Sequence, residues 1–325
     1  MARDTQVSDI ELSIIIVNWH SAHYTHKCVQ SLLTETHGVH YEIIVIDGAS
    51  YDGCGEMLRK HFPKVHFIQS SHNEGFARAN NRAYAFARGA YILFLNPDTE
   101  IIGSAIYTLL AHLKTLPQAG AVGCKLLNAD GTLQTSCIQS MPTILNQMLN
   151  AECLRSRFPR SRLWGMSALF MDQEQPEEVE GISGACVMVK RSVFEEVGLF
   201  STDYFMYAED MDLCYKIRKV GCKNYYIPNA TVMHFGGGSS KHTPSHFSIW
   251  LMRESIWRFL KKKRGTLYAM GYRFSTCVAA LLRLGVMMPI VAIEKVFQVE
   301  SSMLHAFRKW LVILQWSVGL KKYKY

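Results

Sequence analysis

Three stretches of this chain, "LSIIIVN", "YEIIVID" and "YILFLNPD", each carry an unbroken apolar run straight into Asn or Asp. None shows the in–out alternation of a strand with one wet face, so each predicts a strand covered on both sides, as in a parallel sheet flanked by helices. Helix-like segments at 21–37, 52–61 and 74–88 separate the apolar runs, with "VHFIQS" as a further strand among them. That β/α alternation predicts an α/β fold with a doubly wound, mostly parallel sheet through about residue 125. Such sheets bind ligands at the carboxyl ends of their strands. Asn18, Asp47 and Asp98 fall there together, and two strand-end carboxylates point to a ligand bearing hydroxyls, a metal, or both. Read singly, each is also an ordinary turn residue.

The pattern changes after "GAVGCKLLNADGTLQ". Residues 136–178 are irregular and read as a mobile, substrate-facing connection. A strand-like "EVEGISGACVMVKR" follows, and then "EDMDLCYKIRKVG", with Leu213, Ile217 and Val220 on one helical face and Gly221 as the stop. Short strands "KNYYIP" and "TVMHF" lead into a glycine-serine loop, and from about His246 the chain reads as helix after helix.

Charge divides the chain at the same place. Residues 241–325 hold 15 of the 35 Lys+Arg and 3 of the 27 Asp+Glu, so this tail carries +12 while everything before it carries −4. A basic tail rich in Trp and Leu suits an anionic surface. The run "CVAALLRLGVMMPIVAI" is 17 residues, broken by Arg283 and Pro289, and "WLVILQWSVGL" is 11. A span needs roughly 20 uninterrupted residues, so helices lying on the bilayer are expected. The basic "KKKR" at 261–264 and "KKYK" at 321–324 would meet headgroups, and Trp250, Trp257, Trp310 and Trp316 suit the interface. A helical subdomain packed on the sheet, or a contact with a second copy in a homo-oligomer, is the alternative. Nine cysteines without a CxxC pair suggest neither a zinc site nor a disulfide framework, which fits a reducing cytoplasm. "MARDTQVSDIELS" lacks the apolar core of a signal peptide, so a cytoplasmic protein, peripheral on the inner face of the membrane, is expected.

From about Leu12 to Ser239 the chain resembles the family 2 glycosyltransferases of GT-A fold, and within them the rhamnosyltransferase-like branch. The resemblance rests on "SIIIVNWH", "VIDGASYDG", "NEGFARANN", "FLNPDTE", "GISGACVMVKRSVFEEVGLF", "FMYAEDMDLCYKIRKVG" and "VMHFGGGSS", in order over some two thirds of the chain. It implies a nucleotide-sugar donor, with Asn18 and Asp47 at the nucleotide, and with Asn73, Gly75, Arg78 and Asn80 opening a helix toward the base or diphosphate. The family's DxD motif stands here as Asn96, Pro97, Asp98. A neutral amide is a poor ligand for a hard cation, so Asn96 is expected at the ribose and Asp98 at the metal. The resemblance adds His234 as a second ligand for Mn2+ or Mg2+, and assigns Asp210 as the base with Glu209 beside it orienting the acceptor. Gly184, in "GISGACVMV", would let backbone approach the donor or acceptor. Ser201 and Thr202 stand where the family often has an acidic pair, and His20 and His242 are left without a role.

The expected architecture is a GT-A catalytic domain over 1–240 and a helical, basic, membrane-associating region over 241–325. The expected activity is metal-dependent, inverting transfer of a sugar to a lipid-linked or polysaccharide acceptor, with dTDP-L-rhamnose as the donor the branch implies and a UDP- or GDP-sugar as the alternative. No nucleic-acid partner is expected. A dinucleotide-dependent oxidoreductase is disfavoured because no GxGxxG follows the first strand. A catalytically silent membrane-binding module is disfavoured by the intact Asp98, Asp210 and His234.

Overall fold

The computed structural model describes residues 10–150, 152–171, 174–236, 245–296, 302–320 and 323. The chain forms two compact units, and the second is not a simple appendage to the first. It takes in 142–157 and 203–208 as well as 243–325, so the chain passes between the units five times rather than once near 240.

The first unit begins with β1 (Leu12–Asn18), α1 (Ala22–Glu35), β2 (Tyr41–Asp47), α2 (Cys54–His61), β3 (His66–Gln69), α3 (Phe76–Tyr84) and β4 (Tyr91–Leu95). These are the predicted alternating elements, and the apolar runs are buried: Leu12, Ile14, Ile15 and Ile16 of β1 are wholly inaccessible, as are Ile92, Leu93 and Phe94 of β4. Fully burying one such side chain contributes about 1.5–3 kcal/mol. Then come β5 (Thr99–Ile102), α4 (Ala105–Thr115), β6 (Ala119–Leu127) and β7 (Ile138–Gln139). The irregular region contains two short helices of the second unit, α5 (Ile144–Met148) and α6 (Glu152–Arg157), and a 3-10 turn at Ser167–Phe170. The strand-like "EVEGISGACVMVKR" is three strands, β8 (Glu177–Val179), β9 (Gly181–Ile182) and β10 (Cys186–Lys190). After α7 (Arg191–Glu196) and α8 (Glu209–Lys219), the two short strands expected at the end of the domain prove to be one, β11 (Lys223–His234). Its pairing with β6 slips between Ile227 and Thr231, a bulge that accommodates Pro228.

The main sheet runs β3-β2-β1-β4-β10-β6-β11-β5, with β8 also on β11. It is parallel across β3-β2-β1-β4 and between β6 and β11, whereas β10 runs antiparallel to both its neighbours and β5 antiparallel to β11. The α8 face also differs in detail from the expected stripe. Leu213 and Ile217 are buried but Val220, beyond the last helical residue, is 40% exposed, and Met211 and Cys214 complete the packed face. Gly221 takes the left-handed φ of +84° that ends the helix.

The second unit packs α9 (Ser245–Arg264), α10 (Thr266–Val296) and α11 (Ser302–Ser317) on one another. Two expectations fail here. Trp250 and Trp316 are core residues rather than interface anchors; the Trp316 indole donates to Glu254 at 3.1 Å and lies 5.8 Å from the Tyr272 ring. The length argument against a span fails as well, because neither Arg283 nor Pro289 ends the helix. Thr266–Ala292, 27 residues, is long and apolar enough to cross a membrane, and its most apolar window is only 17% buried. Arg283 is not left facing outward: its guanidinium sits 4.2 Å from the Trp310 ring centre and donates to the Met148 carbonyl. The glycine-serine loop beyond Gly236, His242 and the terminal lysines lie outside the described residues.

Candidate active site

β1 and β2 pair in register so that Asn18 lies beside Asp47, and the loop after β2 wraps back over both. Asp47 accepts from Asn18 Nδ2 at 2.7 Å, from Gln69 Nε2 at 2.6 Å, from the backbone of Ser50 at 3.0 Å and from the Ser50 hydroxyl. It is 1% exposed. Asn18 is equally committed, with its amide oxygen taking the Thr25 hydroxyl at 2.9 Å and its nitrogen also near Asp52 at 3.2 Å. This end of the sheet is therefore closed by its own side chains. Asp52, five residues beyond Asp47 in "DGASYD", is the member that sequence reasoning missed. It accepts from the Ala22 N–H at the start of α1 at 2.9 Å and from the Cys54 N–H at the start of α2 at 3.2 Å. Burial works against its charge, but these donors together with Asn18 and Ser50 hold its carboxyl below the ordinary range. His20, Ala49 and Tyr51 adopt positive φ around this cluster, the sparsely populated backbone found where loops are over-determined.

The "NEGFARANN" residues separate on folding. Asn73 turns its oxygen to the Gly75 N–H at 2.9 Å, and Gly75, with φ +77°, opens α3. Arg78 is exposed, whereas Asn80 is buried and donates to the Phe76 carbonyl at 2.9 Å. Two residues apart on a helix is about 200°, so Arg78 and Asn80 cannot face one ligand. Asn80 thus lies on the buried side of α3, away from Arg78.

At β4 the partners come from other strands. Past the end of the strand, the Asn96 N–H donates to Ala185 O at 2.9 Å, and Gly184, one residue back, donates to Asp210 Oδ2 at 3.0 Å. The backbone just before antiparallel β10 thus ties the β4 end to the start of α8. From the other side, β11 pairs His234 with Thr99, and the Phe235 N–H donates to Asp98 O. His234 Nε2 then lies 3.3 Å from Asp98 Oδ1 and 3.3 Å from Asn96 Nδ2, while Nδ1 meets Gln134 Oε1 at 2.7 Å. Asn96 therefore turns its amide to the histidine.

Asp210 is held by the Gly184 N–H and by its neighbour Met211, but burial outweighs both and raises its pKa. A carboxylate so placed moves toward the range useful to a base. Glu209 is 6% exposed beside it, and Asp212, fully buried, takes the Ser201 hydroxyl. Ser201, in place of the expected acid, is thus a partner for α8. Gly184 leaves little room: a Cβ there would stand 3.3 Å from Asp210 Cβ.

Among the described residues no three His, Cys, Asp or Glu side chains gather around a point. Asp98 and His234 converge, a donor pair that fits a divalent cation whose remaining ligands are phosphate and water oxygens.

Glycosyl transferase family 2 matches residues 13–198. The chain belongs to that family. This glycosyltransferase is 31% identical over 216 residues to the N-acetylglucosaminyl-diphospho-decaprenol L-rhamnosyltransferase of Mycobacterium tuberculosis, covering 62% of this chain and 69% of the relative. It is 25% identical over 262 residues to the rhamnosyltransferase WbbL of Escherichia coli, covering 77% and 93%. The rhamnosyltransferase-like branch expected from the motifs is therefore the correct one. A mannosyltransferase from Pyrobaculum calidifontis, solved with GDP-Man and Mn2+, shares the fold at TM-score 0.59 and 16% identity over 95% of this chain and 86% of that one.

Proposed function

We propose that this enzyme moves L-rhamnose from dTDP-L-rhamnose to a lipid-linked or glycan acceptor, with inversion, in cell-surface glycan synthesis. The observation that carries the chemistry is a donor pair, Asp98 with His234, and a buried carboxylate, Asp210, at strand and helix ends tied to the same Gly184–Ala185 backbone just before β10. The rhamnosyl donor and lipid-linked acceptor are supported by the names of the two relatives.

In this reading Asp210 takes the proton of the acceptor hydroxyl as that oxygen bonds to the anomeric carbon. The bond from that carbon to the diphosphate breaks on the opposite face, and its electron pair leaves with the nucleotide. A single displacement inverts the anomeric configuration. Asp98 and His234 would hold a divalent cation, Mn2+ or Mg2+, which supplies positive charge to the departing diphosphate. The Gly184 N–H aims the base, and Glu209 lines the acceptor side. Asn96, Gly75, Asn73 and Arg78 border the donor, while Asn18 and Asp47 shape the nucleotide loop from beneath.

The second unit seats the enzyme on the inner face of the cytoplasmic membrane. Leu267, Phe274, Leu282 and Val286 of α10 are each more than two thirds exposed, and Lys261 and Arg264 are exposed at the turn into that helix. An apolar helix face with basic residues at its end suits an anionic bilayer.

Thermal unfolding with dTDP, UDP and GDP, each with and without Mn2+, ranks the donors because a ligand bound only to the folded state raises its stability. The largest shift is expected for dTDP with Mn2+. A larger shift with UDP or GDP would replace the donor, and equal shifts with EDTA would remove the cation.

A further inference from the structure

The turn "NADGTLQ" after β6 has no part in the chemistry above, yet it ends on Gln134, against His234. It folds back along β6 through Gln134 N–H to Leu126 O at 2.8 Å, and β6 itself pairs Leu127 with Met233 of β11. Side chains of this turn form a single file. Thr132 Oγ1 donates to Asp130 Oδ1 at 2.6 Å, Asn128 Nδ2 donates to Thr132 Oγ1 at 2.9 Å, Gln134 Nε2 donates to Asn128 Oδ1 at 3.1 Å, and Gln134 Oε1 faces His234 Nδ1 at 2.7 Å.

The direction of this file is set at its far end. Asp130 also takes the Thr132 N–H, and an ionised carboxylate can only accept. The Thr132 hydroxyl hydrogen is therefore spent on Asp130, which leaves its oxygen to accept from Asn128. Turning either amide over would bring two acceptors to about 3 Å, at Thr132 or at Asn128, with no hydrogen between them. So Gln134 must offer oxygen to His234, and Nδ1 must carry a hydrogen.

We infer that the file Asp130–Thr132–Asn128–Gln134 fixes the tautomer of His234, placing hydrogen on Nδ1 and leaving the Nε2 lone pair to the Asn96 amide, 3.3 Å away, and to a cation shared with Asp98. Asp98 Oδ1, 3.3 Å from Nε2, competes for that hydrogen, and the file outweighs it. Gln134 is thus a positioning residue, acting through His234, in the way an outer hydrogen bond orients a metal-ligating imidazole. The purpose assigned to it rests on His234 being a cation ligand, but the tautomer itself does not.

Two readouts separate these. Long-range nitrogen–proton NMR of the histidine-labelled full-length protein, with the His234 signals assigned by loss in His234→Asn, reports the tautomer without metal. Electron paramagnetic resonance of Mn2+ titrated with dTDP reports the site. Wild type should carry hydrogen on Nδ1; Gln134→Leu, and Thr132→Val in the exposed turn, should shift it toward Nε2 and weaken Mn2+ binding roughly 10- to 100-fold. Gln134→Glu keeps an acceptor and should keep the wild-type tautomer. An unchanged tautomer in folded Gln134→Leu and Thr132→Val would overturn the inference. A tautomer that shifts in a protein taking up no Mn2+ would support the relay and overturn the cation reading instead.

Discussion

Asp47 and Asp98 both follow a buried apolar strand of one sheet, yet the fold uses them in opposite ways. Asp47 is enclosed by Asn18, Gln69 and the Ser50 loop, with a hydrogen-bond donor on each oxygen. Asp98, equally inaccessible at 2%, presents Oδ1 to an imidazole nitrogen that bears the other half of a ligand pair. The lesson is that a strand-end carboxylate is shaped by what returns to it. A loop that brings amide donors encloses the carboxylate, and a strand that brings an imidazole makes the donor pair on which the proposed cation site rests.

The comparison breaks most sharply at the base, which neither carboxylate supplies. Asp210→Asn should lower kcat by roughly 10^2- to 10^4-fold, the usual worth of a general base, while leaving dTDP affinity within a few-fold in a thermal titration. Near wild-type turnover would remove Asp210 from the mechanism. Because burial raises its pKa, the acidic limb of kcat/KM should lie above the ordinary carboxylate value. The same shift has a sign for stability: a raised carboxyl favours the folded state below its unfolded pKa and loses that advantage as pH rises through the folded one. Chemical denaturation of wild type against Asp210→Asn should show wild type losing ground as pH increases over that window. Asp52, with its lowered pKa, should act the other way, stabilising above its unfolded pKa and losing this as pH falls through the folded one.

Next come the two strand ends themselves. Asp47→Ala strands several buried donors, each at roughly 1–3 kcal/mol, and should be read as a large fall in unfolding free energy. Asp98→Ala should instead abolish Mn2+-dependent dTDP binding with a smaller change in stability. If the two variants behaved alike, the contrast between anchor and ligand would be lost. A smaller effect is expected from Gly184→Ala, whose new Cβ meets Asp210 at 3.3 Å; about a 10-fold loss in kcat at little changed KM would report a displaced base. The smallest effect on catalysis, measured with a soluble acceptor, should come from Phe274→Glu with Leu282→Glu on α10. That pair should release the enzyme from anionic vesicles in a flotation assay, and persistent binding would point to another surface.

Much of the catalytic unit was legible because its signals are local. An apolar run without alternation means burial on both faces, and Asp98 and Asp210 each sit at a boundary that capping and periodicity mark. Other features depend on contacts distant in sequence. Asn80 reads like its neighbours in "NEGFARANN", but helix phase turns it inward onto Phe76. "KNYYIP" and "TVMHF" read as two strands because Pro228 interrupts them, and only pairing to β6 carries one strand through the bulge. Trp250 and Trp316 carry no label that distinguishes a core indole from an interfacial one; their neighbours on the other helices decide it.

The sequence by itself determined that a glycosyltransferase sheet would form, where its strands would end, and which acids and which histidine would be at hand. Only the tertiary structure decided which of them remain available. The reason is that a carboxylate's role depends on the donors around it. Gln69 and Ser50 donate to Asp47, the Gly184 N–H donates to Asp210 and the His234 ring lies against Asp98, and all but Ser50 come from elements more than twenty residues away.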